Sequence, residues 1–295
     1  MSPQQTGPAS AGPSVWRYLL RYPLGTAGLA VLTLTLIVAL AAPALAPTDP
    51  YRQAIAYRLE PPGAVVNGHV AWLGSDHLGR DVWSRILYGS RLSLLISGVS
   101  VAGAAFVGVA VGLGTGYRGG WVDRAVMRVV DLYLAIPFIL LALFVVALWG
   151  PTVPNIIATF IVTGWPPYVR LIRARVLVIR ELQYVEAARA LGQSTRCILS
   201  RHIFPNVVNP VMVVVSFQMA QILITEGALS FLGLGVQPPT PSWGNMLAEG
   251  RDYMGNAWWL TVLPGAAIVV CATAINVLGD ALRDIFDPQL RSMRS

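Results

Sequence analysis

The 295-residue chain contains no lysine; all 21 of its basic residues are arginine. That absence removes Schiff-base chemistry, which needs an amine, and the Walker A phosphate loop, whose lysine reaches the β and γ phosphates. Any ATP chemistry tied to this chain must be carried by another one. Charge of both signs is scarce: 12% of residues are charged and 55% are hydrophobic, whereas soluble domains carry about 25% charged residues. A soluble globular domain is excluded and an all-α polytopic membrane protein is expected. Cysteine is limited to Cys197, in a polar segment, and Cys271, inside an apolar run, which supports neither an exported disulfide framework nor a zinc site. The net charge of +7 is spread over loops between apolar runs, without the contiguous basic face of a nucleic-acid binder. The sequence also lacks internal repeats, low-complexity tracts and charged tails.

What the chain has is apolar length. A bilayer core of about 30 Å needs roughly 20 apolar residues in a helix. Runs of that kind lie near 24–46, 92–114, 125–148, 153–169, 206–226 and 259–280, predicting six transmembrane helices. The fourth is short and interrupted by Gly164, Pro166 and Pro167, a break that neighbouring helices tolerate. Ala44-Leu45-Ala46 resembles a signal-peptide cleavage site, but the run before it is too long for a signal sequence, so it is expected to be retained. With the N-terminus inside, 15 arginines fall on inner segments and six, Arg52, Arg58, Arg80, Arg85, Arg91 and Arg251, on outer ones. Both termini and the segment around Glu186 are then cytoplasmic. The division expected is a cytoplasmic tail over 1–23, a first helix plus extracytoplasmic segment over 24–90, a five-helix core over 91–282 and a cytoplasmic tail over 283–295. Two long outer segments, near 47–90 and 227–258, are rich in Pro, Gly and Trp and are expected to be ordered non-helical loops.

The polar segment between the fourth and fifth runs has its own pattern. Val169, Ile172, Val176 and Ile179 recur at helical spacing among arginines, predicting an amphipathic helix that continues through Glu186 and Ala190. Gly192 suits the left-handed residue after its end, and Ser194 or Thr195 can cap a second short helix that Pro205 terminates. Ala187, Ala188, Ala190 and Gly192 keep the bend thin, so another protein could approach the backbone closely beside the single charge of Glu186.

These residues resemble a known family. Tyr184-Val185-Glu186-Ala187-Ala188-Arg189-Ala190-Leu191-Gly192, followed by Arg201-His202-Ile203-Phe204-Pro205-Asn206, is similar to the EAA signature of binding-protein-dependent ABC importer permeases of the peptide and nickel type. The resemblance extends through Gly164–Arg170, Glu226–Gly235 and Leu278–Asp284, and Leu73–Arg85 looks like the C-type permease subunit. Phe204, Gly227 and Ser75 depart from the usual Leu, Ala and Thr. The resemblance implies a type I importer permease fold with a cytoplasmic coupling helix between spans four and five. Glu186, Ala187, Ala188, Arg189, Ala190, Leu191, Gly192, Ser194, His202 and Pro205 would contact an ATPase. It further implies a homologous second permease, two cytoplasmic ATPase subunits or domains that hold ATP and Mg²⁺, an extracytoplasmic substrate-binding protein, and no cofactor on this chain. Short peptides are the expected cargo; nickel or haem-type cargo of the same family, or a secondary transporter, are the alternatives.

Polar residues inside a span usually face a cavity or another helix. Asn209, Ser216, Gln218, Gln221 and Glu226 on the fifth run are therefore candidates for the translocation path. No metal site is expected: His69, Asp76, His77 and Asp81 match no ligand pattern, and Asp76 and Asp81 suit capping of a short helix before the second span. Asp131 and Asp280 lie near span ends, where pairing with Arg128 or Arg283, or interfacial hydration, is expected over proton coupling. Hydrolase motifs are absent.

Overall fold

A computed structural model describes residues 23–66 and 68–286. The expected terminal tails, with Arg17, Arg21, Arg291 and Arg294, lie outside them except at their inner ends. Four long helices frame the chain: α1 (Pro23–Leu45), α2 (Val82–Arg118), α8 (Phe204–Phe231) and α10 (Trp259–Phe286). Shorter helices α3 (Gly120–Ala135), α4 (Phe138–Trp149), α5 (Val153–Gly164), α6 (Pro166–Ile179) and α7 (Gln183–Ala190) join α2 to α8, and α9 (Trp243–Gly250) lies between α8 and α10. A hairpin of β1 (Ala64–Val66) and β2 (His69–Ala71) pairs Ala64 with Ala71 and Val66 with His69.

Among the described residues, four helical segments are long and apolar enough to cross a membrane: Pro23–Leu45, Val82–Arg118, Thr195–Phe231 and Trp259–Ile285. The third predicted run is not one rod. α3 and α4 meet at 94°, because Pro137 lacks an amide hydrogen and forces Ile136 into extended backbone (φ −93°, ψ 129°). Counted together they make a fifth crossing. The fourth run divides as expected, into 12-residue α5 and 14-residue α6.

The second run is longer than hydropathy suggested. α2 begins at Val82 directly after Asp81, whose carboxylate accepts from the Ser84 amide at 2.7 Å, a normal N-cap. No separate short helix precedes it, and the boundary drawn at residue 90 falls inside it. Two of its buried serines return their hydroxyls to the backbone, Ser90 to Leu87 O (2.6 Å) and Ser97 to Ser93 O (2.9 Å), whereas the Ser100 hydroxyl is buried without a partner. The second outer loop is also not wholly irregular, since α9 and a 3₁₀ turn at Arg251–Tyr253 lie within it. Ser242 starts α9 by accepting from the Asn245 amide at 3.0 Å.

The main core gathers Ile96 and Ala104 of α2, Phe160 of α5, Tyr168, Ile172 and Val176 of α6, and Val207 of α8. One face of α2 is stripped of side chains to allow this. Gly108, Gly112 and Gly116 lie four residues apart, opposite Tyr168, Ile172 and Val176, also four apart. A Cβ on Gly112 would stand 2.8 Å from Ile172 Cβ, and one on Gly116 2.9 Å from Val176 Cβ. This glycine ladder is the small-residue spacing by which membrane helices approach closely. α1 and α10 also touch at a glycine, with Gly28 against Ala274 O. Elsewhere α1 leaves Leu24, Leu34, Ile37 and Leu40 exposed, as lipid-facing positions require.

Candidate functional site

The bend from α7 to α8 is built from local rules. α7 ends in two 6→1 and 5→2 hydrogen bonds, Gln193 N to Ala188 O (3.1 Å) and Gly192 N to Arg189 O (3.0 Å), with Gly192 at φ +76°. That is the Schellman geometry predicted for Gly192. The Ser194 hydroxyl accepts from the Cys197 amide at 3.3 Å and starts the next turn, Thr195–Cys197. His202 Nε2 meets Gln193 Oε1 at 3.0 Å, and Asn206 Nδ2 donates to His202 O at 2.7 Å, so the two arms are tied across the bend.

Two expectations here are corrected. The amphipathic helix does not run unbroken from Tyr168 to Ala190; it stops at Ile179, and Arg180–Leu182 form a turn before α7. Arg180 is drawn aside to donate Nη1 to Gly116 O at 3.0 Å, which satisfies a carbonyl at the end of α2. Nor does Pro205 end the second helix. It occupies the first turn of α8, where a missing amide hydrogen costs nothing. A π-helical stretch, Ile198–Ile203, carries the helical path into it, with the Phe204 amide reaching back to Leu199 O.

The segment buries one side and shows the other. Val185, Ala188, Ile198 and Ile203 are buried in the main core, while Glu186, Ala187, Arg189, Ala190 and Gly192 are exposed. Leu191, at the apex, is 82% exposed. An aliphatic side chain so placed beside alanines and glycine leaves an uncovered apolar knob on a thin ridge, a contact surface in search of a groove.

The five path candidates do not share one face. At 100° per residue, Asn209 and Ser216 differ by about 20° but Gln218 lies opposite. Ser216 is buried where α8 passes Gly279 of α10, and Glu226 is buried against α9. Asn209 and Gln221 are exposed and Gln218 is half-buried. Glu226 Oε1 accepts from Ser230 (3.1 Å) and from Ser242 (3.0 Å). It therefore holds the N-terminal end of α9, where a carboxylate is favoured by the helix dipole. Trp243 fixes the same end to α2, its amide donating to Ser93 Oγ (3.1 Å) and its indole to Ile86 O (3.0 Å).

Sequence reasoning missed a buried ion quartet at this same N-terminal end of α2. Arg80 Nε meets Asp76 Oδ2 at 2.6 Å and its Nη2 meets Glu249 Oε2 at 2.9 Å. Arg85 Nη1 bridges the same two carboxylates at 2.5 and 2.6 Å. Both guanidinium side chains are 1% exposed. Asp76 Oδ1 also accepts from the amides of Leu78 and Arg80, so Asp76 organises the turn rather than capping a helix. Burial alone would raise its carboxyl, but the Arg85 and Arg80 charges and those two amides outweigh it and hold Asp76 below the usual carboxylate range. His77 lies beside the quartet, stacked on Tyr253 at 5.5 Å. Asp76, His77 and Glu249 bring ligand atoms within 4.8 Å of one another, but both carboxylates are engaged by arginines whose charge opposes a cation. The signal available beforehand was the spacing Asp76, Arg80, Arg85 before an apolar run; its fourth member is 164 residues from Arg85. At the far end, Asp131 pairs with Arg170 at 2.7 Å, not with Arg128.

Helices broken by proline, glycine ladders and an exposed cap-and-turn bend define a polytopic membrane transport component. Residues 108–292 match the model for the binding-protein-dependent transport system inner membrane component, and residues 11–62 match that for the N-terminal TM domain of oligopeptide transport permease C. The chain belongs to this family and is a C-type permease subunit of an ABC importer, a transport component rather than an enzyme. The dipeptide transport system permease protein DppC of Escherichia coli K12 is 42% identical over 277 residues, covering 94% of this chain and 92% of that one. The di/tripeptide transport system permease protein DppC of Pseudomonas aeruginosa is 40% identical, covering 90% and 88%. Among solved structures, an inward-facing MetNI methionine ABC transporter chain aligns with TM-score 0.55 at 18% identity, covering 70% of this chain and 98% of that one, which supports the type I importer fold. Family membership disfavours the secondary-transporter reading.

Proposed function

We propose that this permease passes short peptides, delivered by an extracytoplasmic binding protein, through a path shared with a homologous second permease. The cargo for which its relatives are named, dipeptides and di/tripeptides, supports that choice over nickel or haem. The bend from Glu186 to Pro205 is the coupling element, seated in a groove of a cytoplasmic ATPase that holds ATP and Mg²⁺. Its exposed ridge with Leu191 at the apex, anchored from behind by Val185 and Ala188, is the observation that carries the reading. Counting the bent α3–α4 pair once and α5 with α6 once gives six crossings. The arginine bias then sets both termini and the bend in the cytoplasm. The permease pair would rock between two packings, which requires that the ATPases contact the two states differently. Asn209, Gln218 and Gln221 remain candidates for the path on this chain.

Gly192→Trp tests the coupling assignment. No side chain fits φ +76° without strain of about 1–2 kcal/mol, yet no atom lies within 4 Å of a Cβ placed there. The variant is therefore expected to insert and fold but to lose ATPase subunits on purification and peptide uptake in cells. Normal uptake with Gly192→Trp would sink the assignment. Purified alone, the chain is expected to show no ATP binding by equilibrium dialysis.

A further inference from the structure

Behind the bend, four arginines line one open cavity of about 800 Å³ between the end of α2, the turn after α6, α7 and the Thr195–Cys197 turn. They are Arg118, Arg180, Arg189 and Arg196, and the one carboxylate among them, Glu181, is taken by Arg180 Nε at 2.9 Å. Arg180 also satisfies the Gly116 carbonyl. Arg189 lies over the Tyr117 ring, 5.7 Å from its centroid. Arg118 and Arg196 are exposed and have no ion pair or hydrogen bond among the described residues. Helix-end capping thus accounts for one guanidinium and leaves three unneutralised charges around one cup.

The depth of the cup indicates its occupant. Trp121, three residues past Arg118, is 73% exposed, and an exposed indole at the end of an apolar helix sits at the lipid headgroup level. Trp121 stands in the first turn of α3, on which Leu132 is also exposed, at 69%. Arg189, Thr195, Arg196 and Leu199 of the bend form one wall of the cup, while Glu186, Ala187 and Leu191 on its exposed ridge lie outside it. We propose that the cup binds the phosphate of an anionic phospholipid such as phosphatidylglycerol. Guanidinium forks match phosphate oxygens, and basic pockets between membrane helices recognise such headgroups. This inference does not depend on the cargo; Arg189 and Arg196 belong also to the bend assigned to the ATPase, so lipid and ATPase subunits are counted separately in the test.

The test uses the importer complex purified in neutral detergent, titrated with phosphatidylglycerol or phosphatidylcholine, with bound lipid counted by native mass spectrometry. Phosphatidylglycerol is expected to bind preferentially, and Arg118→Gln with Arg196→Gln to weaken it on the order of tenfold to thirtyfold. Arg118→Lys with Arg196→Lys keeps the charge and is expected to retain most of the binding, which guards against a fold defect. Undiminished phosphatidylglycerol binding in the glutamine variant, or equal binding of phosphatidylcholine, would overturn the proposal. So would displacement of the lipid by an equal concentration of inorganic phosphate, which identifies a soluble anion. Loss of the ATPase subunits from the glutamine variant with lipid binding unchanged would make the cup a protein-docking surface instead, and the lipid assignment would fall.

Discussion

Arg85→Ala is expected to destabilise the outer end of the molecule by about 3–5 kcal/mol, the cost of leaving a buried charge without its partner. Arg85 is 1% exposed and its Nη1 serves both Asp76 and Glu249, so removal leaves two carboxylates to share Arg80. Accelerated proteolysis between residues 47 and 81 in inside-out and right-side-out vesicles would report the loss. A double-mutant cycle with Glu249→Ala separates pairing from packing: a coupling near zero would show that the quartet contributes only by filling space. Acid should mimic the substitution. Asp76 titrates below the ordinary carboxylate value of about 3.9. Its contribution is therefore full above that value and lost as pH falls through the lowered one. A protein whose outer segment loosened between pH 5 and pH 8 instead, a window chosen well above about 3.9, would contradict this account.

Gly108→Leu together with Gly112→Leu is expected to separate α2 from α6. Each inserted side chain meets backbone or Cβ atoms, Trp165 O at 2.7 Å from the first position and Ile172 Cβ at 2.8 Å from the second. Overpacking of this kind costs about 1–3 kcal/mol per site, and the two sites share one interface. Because α6 leads into the bend, ATPase activity should cease to respond to the loaded binding protein even where the chain reaches the membrane. Gly98→Ala and Gly98→Leu on the same helix enter open space and serve as controls expected to leave transport intact. Equal loss in the controls would mean that any bulk on α2 is harmful and that the ladder has no special part.

What could be read in advance was local. The end of α7 at Gly192 and the Ser194 cap follow from residues within five positions of each other, as does the break at Gly164–Pro167. What escaped depended on distant partners. The charges of Arg85 and Arg91 interrupt the hydropathy of α2, yet Arg85 is paired with Asp76 and Glu249 and the helix begins at Val82. Glu226 suggested a path because it lies in an apolar run; its partner Ser242 is 16 residues on, beyond a proline-rich turn. Pro205 read as a stop because proline disrupts a helix interior, whereas the first turn of α8 accommodates it. The third run read as a rod because its composition is apolar on both sides of Pro137.

α2 connects two of these features. It starts beside the ion quartet and ends where Arg180 grips Gly116, at the edge of the bend. Its 37 residues make a strut of roughly 55 Å with no proline along it, while the flexure points at Ile136–Pro137 and Gly164–Pro167 lie in its neighbours. A tilt of about ten degrees at the ATPase end would swing the far end by roughly 10 Å. The rim around the ion quartet is thus geared to the bend by a single lever arm.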